Sequence, residues 1–97
     1  MIVVLAPLLV EARPGYVGGQ HVNGEAFAAL DASGAITAWG DSSYGGSGAP
    51  SGSGFVSIYS TYYAFAALDA SGAITAWGGS SYGGSGAPSG SGFVSIY

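Results

Sequence analysis

The side chains of this chain best suited to chemistry are aromatic, and most come in matched pairs. Trp39 and Trp77 each precede a glycine, and Tyr44 and Tyr82 each sit inside a Gly/Ser-rich loop. Indole and phenol rings stack on sugars and on apolar surfaces while a polar tip fixes orientation. Loops carry binding function, so Tyr44 and Tyr82 are candidate ligand contacts, balanced against a plain role in anchoring their own loops. Tyr62 is a third candidate, because it clusters with Tyr59 and Tyr63. Alternation along an extended chain sends Tyr62 and Tyr63 to opposite faces, leaving at least one exposed. A tryptophan at the end of a strand is normally packed, which assigns Trp39 and Trp77 to the structural core with Phe27, Phe65, Leu30 and Leu68.

Catalytic groups are sparse. His21 is the sole histidine, and no serine near it sits in a nucleophile elbow. Asp31 and Asp69 occupy equivalent turns, where the local hydrogen bonding of aspartate accounts for them. To act as a carboxylate pair they would have to lie within a few ångströms of each other, and adjacent units of a repeat are not that close. Asp41 occurs once and is absent at its counterpart Gly79, so no oxygen-rich metal loop is repeated. The Gly-rich loops contain no lysine and no helix is predicted after them, unlike a phosphate cradle. The expectation is a protein that is not an enzyme and uses no cofactor and no metal.

Charge narrows the partners further. The 97 residues carry one basic side chain, Arg13, and a formal net charge of −4. Nucleic-acid binding needs Lys and Arg to neutralise phosphates, so no nucleic-acid partner is expected. Attraction to anionic lipid is excluded for the same reason. There is no cysteine, hence no disulfide framework or thiolate metal site. Residues 1–15 begin with an apolar run too short to span a bilayer. They read as a buried strand, a signal-like segment or a misplaced start, since no basic residue precedes the run. The compartment is left open, with a lean to the extracellular or cell-surface side.

The elements that hold these residues are set by a repeat. Residues 27–59 return as residues 65–97, 38 positions later, with one change in 33: Asp41 becomes Gly79. A fixed period of this size marks a repeat architecture, in which stacking of copies supplies the core that one copy lacks. The units run over residues 16–54 and 55–92, with a truncated third beginning at 93–97. Nineteen glycines and six charged side chains, together with many aromatics, indicate a Gly-punctuated all-β fold rather than a solvated tail. In the second unit residues 55–60 and 73–77 alternate as strands, and residues 63–69 form a third despite their alanine content. Asp69-Ala70-Ser71-Gly72 is a hairpin signal, with Asp bonding the backbone two residues on and Gly closing a left-handed position. Residues 79–92 form a long loop whose recurrence after both tryptophans implies a fixed shape, pinned by Tyr82 and Pro88.

Three short antiparallel strands and a long loop per unit match a propeller blade. The residues carrying that pattern also resemble a known family. Val56-Ser57-Ile58, residues 64–68, Gly72 to Gly78 with its Trp77-Gly78, and Tyr82-Gly83 resemble the repeat of the regulator-of-chromosome-condensation (RCC1) type. The most specific element is Ala-Leu, turn Gly and Trp-Gly, found at Ala29-Leu30, Gly34, Trp39-Gly40 and again 38 residues later. The resemblance covers residues 17–97 and implies tandem antiparallel blades of a β-propeller, here as an incomplete ring. It also implies that Trp39 and Trp77 fill the space between blades. The family unit is longer; its Gly-Gln-Leu-Gly segment appears only as Gly45-Gly46-Ser47-Gly48 and Gly83-Gly84-Ser85-Gly86, and its histidine is replaced by Ala64. Guanine-nucleotide exchange, which belongs to some members, is not carried over. A β-solenoid is the alternative architecture.

Two functions are compatible with this inventory. One is a non-catalytic scaffold for protein–protein interaction within a longer array. The other is an extracellular glycan-binding or adhesive repeat protein, in which equal weak sites gain from being linked. Either reading anticipates further repeats or self-association.

Overall fold

A computed structural model of the chain describes residues 22–97. Residues 1–15, His21 and the opening of the first unit lie outside the described residues. The fold is all-β: two small antiparallel sheets, with no α-helix among the described residues. The first sheet pairs β1 (Ala26–Leu30) with β2 (Ile36–Gly40). The second holds β3 (Phe55–Ser60), β4 (Ala64–Asp69) and β5 (Ile74–Gly78), in the order β3-β4-β5. Single 3-10 turns follow β2 and β5: η1 (Ser42–Tyr44) and η2 (Ser80–Tyr82).

Local chemistry explains the hairpins. Asp69 Oδ1 accepts from the Ser71 backbone N–H at 2.9 Å, the Ser71 hydroxyl at 2.6 Å and the Ala73 N–H at 3.0 Å. Asp31 does the same with Ser33 and Ala35. Gly34 and Gly72 take φ of 83° and 85°, a left-handed conformation that costs a side chain dearly and a glycine almost nothing. The same glycines also let the following unit approach. Phe55 N–H donates to Gly34 O and Phe93 N–H to Gly72 O, both at 3.0 Å, and a Cβ at Gly72 would meet the residue 92–93 backbone at 2.6 Å.

Two departures from the expected strands have plain causes. β3 carries a bulge at Val56, so Phe55 pairs with Asp69 and Ser57 with Leu68, and simple alternation stops there. Residues 93–97 repeat the sequence of residues 55–59 yet form no strand. β3 is a strand because β4 pairs along it, whereas residues 93–97 have no such partner among the described residues.

The two sheets stack with unlike faces together. Alternation puts Phe65 and Ala67 on one face of β4, with Trp77 opposite Phe65 in the register, while Ala64, Ala66 and Leu68 take the other face. The large-ring face of the second sheet packs against the small-residue face of the first: Ala26, Phe65, Ala67 and Trp77 form the buried cluster, flanked by Ala28, Ile36, Ala49 and Ile58. The six residues assigned to the core from sequence therefore divide. Phe65, Leu68 and Trp77 are buried, but Phe27, Leu30 and Trp39 are exposed, Phe27 by 66 % and Trp39 by 50 %. Phe27 and Trp39 face away from the second sheet, and β1 has β2 as its one strand partner among the described residues. Leu68 lies on β4, flanked by strands on both sides.

Candidate functional site: a tyrosine cluster spanning two repeats

Tyr44, Tyr62 and Tyr82 meet around a fourth residue, Tyr63. The Tyr63 ring lies 4.5 Å from that of Tyr44, 4.6 Å from Tyr82 and 4.8 Å from Tyr62, centroid to centroid. Tyr44 and Tyr82 are 6.4 Å apart in an edge-to-face arrangement. Such tilted geometries place a positive ring edge against a negative ring face. Tyr44 comes from the first unit and the other three from the second, so the cluster exists only where two units meet. Tyr62 and Tyr82 remain half exposed, while Tyr63 and Tyr44 are partly covered.

Backbone anchoring fixes each ring. Tyr44 and Tyr82 close η1 and η2, where their N–H groups bond to Asp41 O at 3.1 Å and Gly79 O at 2.9 Å. Their carbonyls are held by different side chains in equivalent positions: Asn23 Nδ2 donates to Tyr44 O at 2.9 Å, and the Thr61 hydroxyl donates to Tyr82 O at 2.8 Å. Tyr62 and Tyr63 lie in the turn between β3 and β4, not in a strand. Strand alternation therefore does not separate them, and the expectation of opposite faces is corrected: their rings touch edge-on at an interplanar angle of 83°. The Tyr62 ring lies over Gly24, where a Cβ would meet it at 2.6 Å.

The one difference between residues 27–59 and 65–97 falls at this site. Asp41 accepts the Ser43 N–H at 2.9 Å as the cap of η1, while Gly79 gives η2 no side-chain cap. A Cβ at Gly79 would meet Tyr82 at 2.9 Å, the Tyr63 carbonyl at 3.1 Å and Tyr44 at 3.4 Å. Tyr63 stands where the first unit has Glu25. The aromatic cluster thus takes the space an aspartate would need.

Desolvation, reinforced by Tyr62, Glu25 and the other two phenols, raises Tyr63 above the ordinary tyrosine range and keeps its proton in place. Asp31 and Asp69 are held below the usual carboxylate range, chiefly by the Ser33 and Ser71 hydroxyls, and each is engaged in its own turn. No group of three metal-ligating side chains occurs among the described residues. A groove of about 90 Å³ adjoins the cluster through Thr61 and Gly83 without being lined by any of its four tyrosines; Ala64, Ala66, Ile96 and Tyr97 are among its other lining residues. No helix among the described residues is long and apolar enough to cross a membrane. Comparison of the chain with protein-family models, curated proteins and solved structures finds no match.

Of the residues involved, Asn23, Gly24 and Thr61 were not foreseen from sequence. Their signal is weak: polar or small residues just ahead of β1 and β4, at positions where the two units differ.

Proposed function

We propose that this chain is a non-catalytic repeat scaffold of RCC1-like, propeller-type blades whose tyrosine face binds a partner protein. The observation that carries the reading is the convergence of Tyr44, Tyr62 and Tyr82 on Tyr63 across the junction of two units. Tyrosine offers large, rigid, amphipathic contact area at low entropic cost and is enriched in protein interfaces. The antiparallel register of every strand pair supports a blade-like unit over a parallel solenoid coil. The stacking of one sheet on the next supports a tandem array.

A second reading, glycan binding, is favoured by the half-exposed rings of Tyr62 and Tyr82, which could receive a sugar face. The two readings separate in one experiment. A photo-crosslinking phenylalanine analogue replaces Tyr82 in the cell that makes the protein, and adducts are read by mass spectrometry. A discrete protein adduct, lost when Tyr62 and Tyr44 become alanine, supports the scaffold. Absence of protein adducts, with binding to immobilised glycans that the Tyr62→Ala/Tyr82→Ala variant loses, supports the sugar reading and overturns the first.

A further inference from the structure

The junction between the two sheets is a matched pair of surfaces, and the same two surfaces occur again, unoccupied by any described residue, on opposite sides of the molecule. At the junction, the Phe65–Trp77 pair is stacked with centroids 5.3 Å apart and an interplanar angle of 24°. It is received by Ala26 and Ala28 of the first sheet with Ala49, and by the loop at Gly45, whose carbonyl accepts the Trp77 indole N–H at 3.1 Å, while Ile58 flanks the pair from the same sheet and face. Gly45 presses so close that a Cβ there would meet the Phe65 ring at 2.5 Å.

Phe27 and Trp39 repeat the stacked pair almost unchanged, at 5.4 Å and 25°, but stand exposed. The groove described above repeats the receiving surface. Ala64, Ala66 and Gly83 line it, each 38 residues after Ala26, Ala28 and Gly45 in turn, and Ile96 lines it beside them. Ala87, the counterpart of Ala49, is exposed. Each sheet thus has a ring face and a receiving face, and stacking uses one of each.

We propose that a second copy of this chain covers the Phe27–Trp39 face: the ring pair of one copy enters the Ala64/Ala66/Gly83/Ile96 groove of another, head to tail. The complementarity needs no new chemistry, since the junction inside the chain already displays it between near-identical sequences. Trp39 Nε1 donates to Gly83 O of the neighbouring copy, as Trp77 donates to Gly45. The interface is heterologous, so it builds closed rings where the rotation allows and open chains where it does not. It uses none of the four clustered tyrosines.

The test is sedimentation of the 97-residue chain over a range of concentrations, with two blocking variants. Trp39→Ala removes the exposed ring, and Ile96→Asp puts a charge in the groove. Neither residue belongs to the buried cluster, and circular dichroism checks that both variants fold. Ala87→Arg, at an exposed loop position, serves as a second groove block if Ile96→Asp does not fold. The average mass of the unaltered chain should rise above 9.4 kDa with concentration. Each variant alone should associate at least about tenfold more weakly, as loss of an aromatic anchor or burial of a charge at an interface centre does. Mixed in equal amounts, the ring-blocked and groove-blocked chains should form a one-to-one dimer and stop, because each retains one intact surface. A mass fixed at 9.4 kDa throughout, variants that associate like the parent, or a mixture that forms no dimer would each overturn the proposal.

Discussion

The indole nitrogen of Trp77 donates to the carbonyl oxygen of Gly45, 3.1 Å away and 32 residues earlier in the chain. This bond ties the second sheet to the loop of the first, and it is buried, with Trp77 only 4 % exposed. Trp39 occupies the same register position opposite Phe27 that Trp77 has opposite Phe65, yet it is half exposed. Trp77→Phe leaves the Gly45 carbonyl buried and unpaired, which should cost about 1–3 kcal/mol. Trp39→Phe should stay within about 0.5 kcal/mol, as exposed substitutions do. Urea unfolding of the two variants, at a concentration where the chain is monomeric, checks the contrast. Equal losses would mean that Trp39 is also packed in solution.

Gly45 and Gly83 separate backbone strain from packing. Both are left-handed, with φ of 112° and 102°, so alanine at either should cost about 1–2 kcal/mol in conformation alone. At Gly45 the added methyl also strikes the Phe65 ring, whereas at Gly83 the nearest atom is a Thr61 methyl at 3.6 Å. Gly45→Ala should therefore cost about 1–3 kcal/mol more than Gly83→Ala, the usual penalty of overpacking. Thermal unfolding at a concentration where the chain is monomeric measures the difference. A pair of equal values would place the whole effect in the backbone.

How much of this could be read from the sequence depends on the range of the interaction. The hairpin turns were legible because Asp69, Ser71 and Gly72 act on one another within four residues. Strand positions followed from the same short-range pattern, apart from the bulge at Val56 and residues 93–97, which form no strand. Burial was legible only in part, because Phe27 and Phe65 sit in the same local sequence and differ in what lies above them. Tyr44, Tyr62 and Tyr82 could be nominated singly from their loops. Their meeting around Tyr63 could not, since it joins a residue of one unit to three of the next and turns on a loop geometry that strand alternation misdescribes.

The lone difference between residues 27–59 and 65–97 gives a paired test. Asp41→Ala removes the η1 cap and should cost about 1 kcal/mol. Restoring the repeat at the other site, Gly79→Asp, would supply η2 with the same cap but force the side chain into the Tyr82 ring. We expect the clash to win, with a net loss of about 1–3 kcal/mol and altered tyrosine near-ultraviolet circular dichroism. A stabilised Gly79→Asp chain would mean that the four rings move apart at little cost.

Two sets of groups should bound stability in pH. Asp31 and Asp69 have folded values below the unfolded one, because the Ser33 and Ser71 hydroxyls and nearby backbone N–H groups favour the carboxylate. Their contribution is therefore complete above the ordinary aspartate value of about 3.9 and is lost as pH falls through the lower folded value. Tyr63 has the opposite sign. Desolvation raises its folded value, so its contribution is complete below about pH 10 and is lost as pH rises through the higher folded value. The melting temperature should fall on both sides of a plateau between these limits. Asp31→Asn with Asp69→Asn should flatten the acid side alone, and Tyr63→Phe the alkaline side alone. Persistence of the acid side in the double variant would overturn its assignment to Asp31 and Asp69. Persistence of the alkaline side after Tyr63→Phe would overturn its assignment to Tyr63.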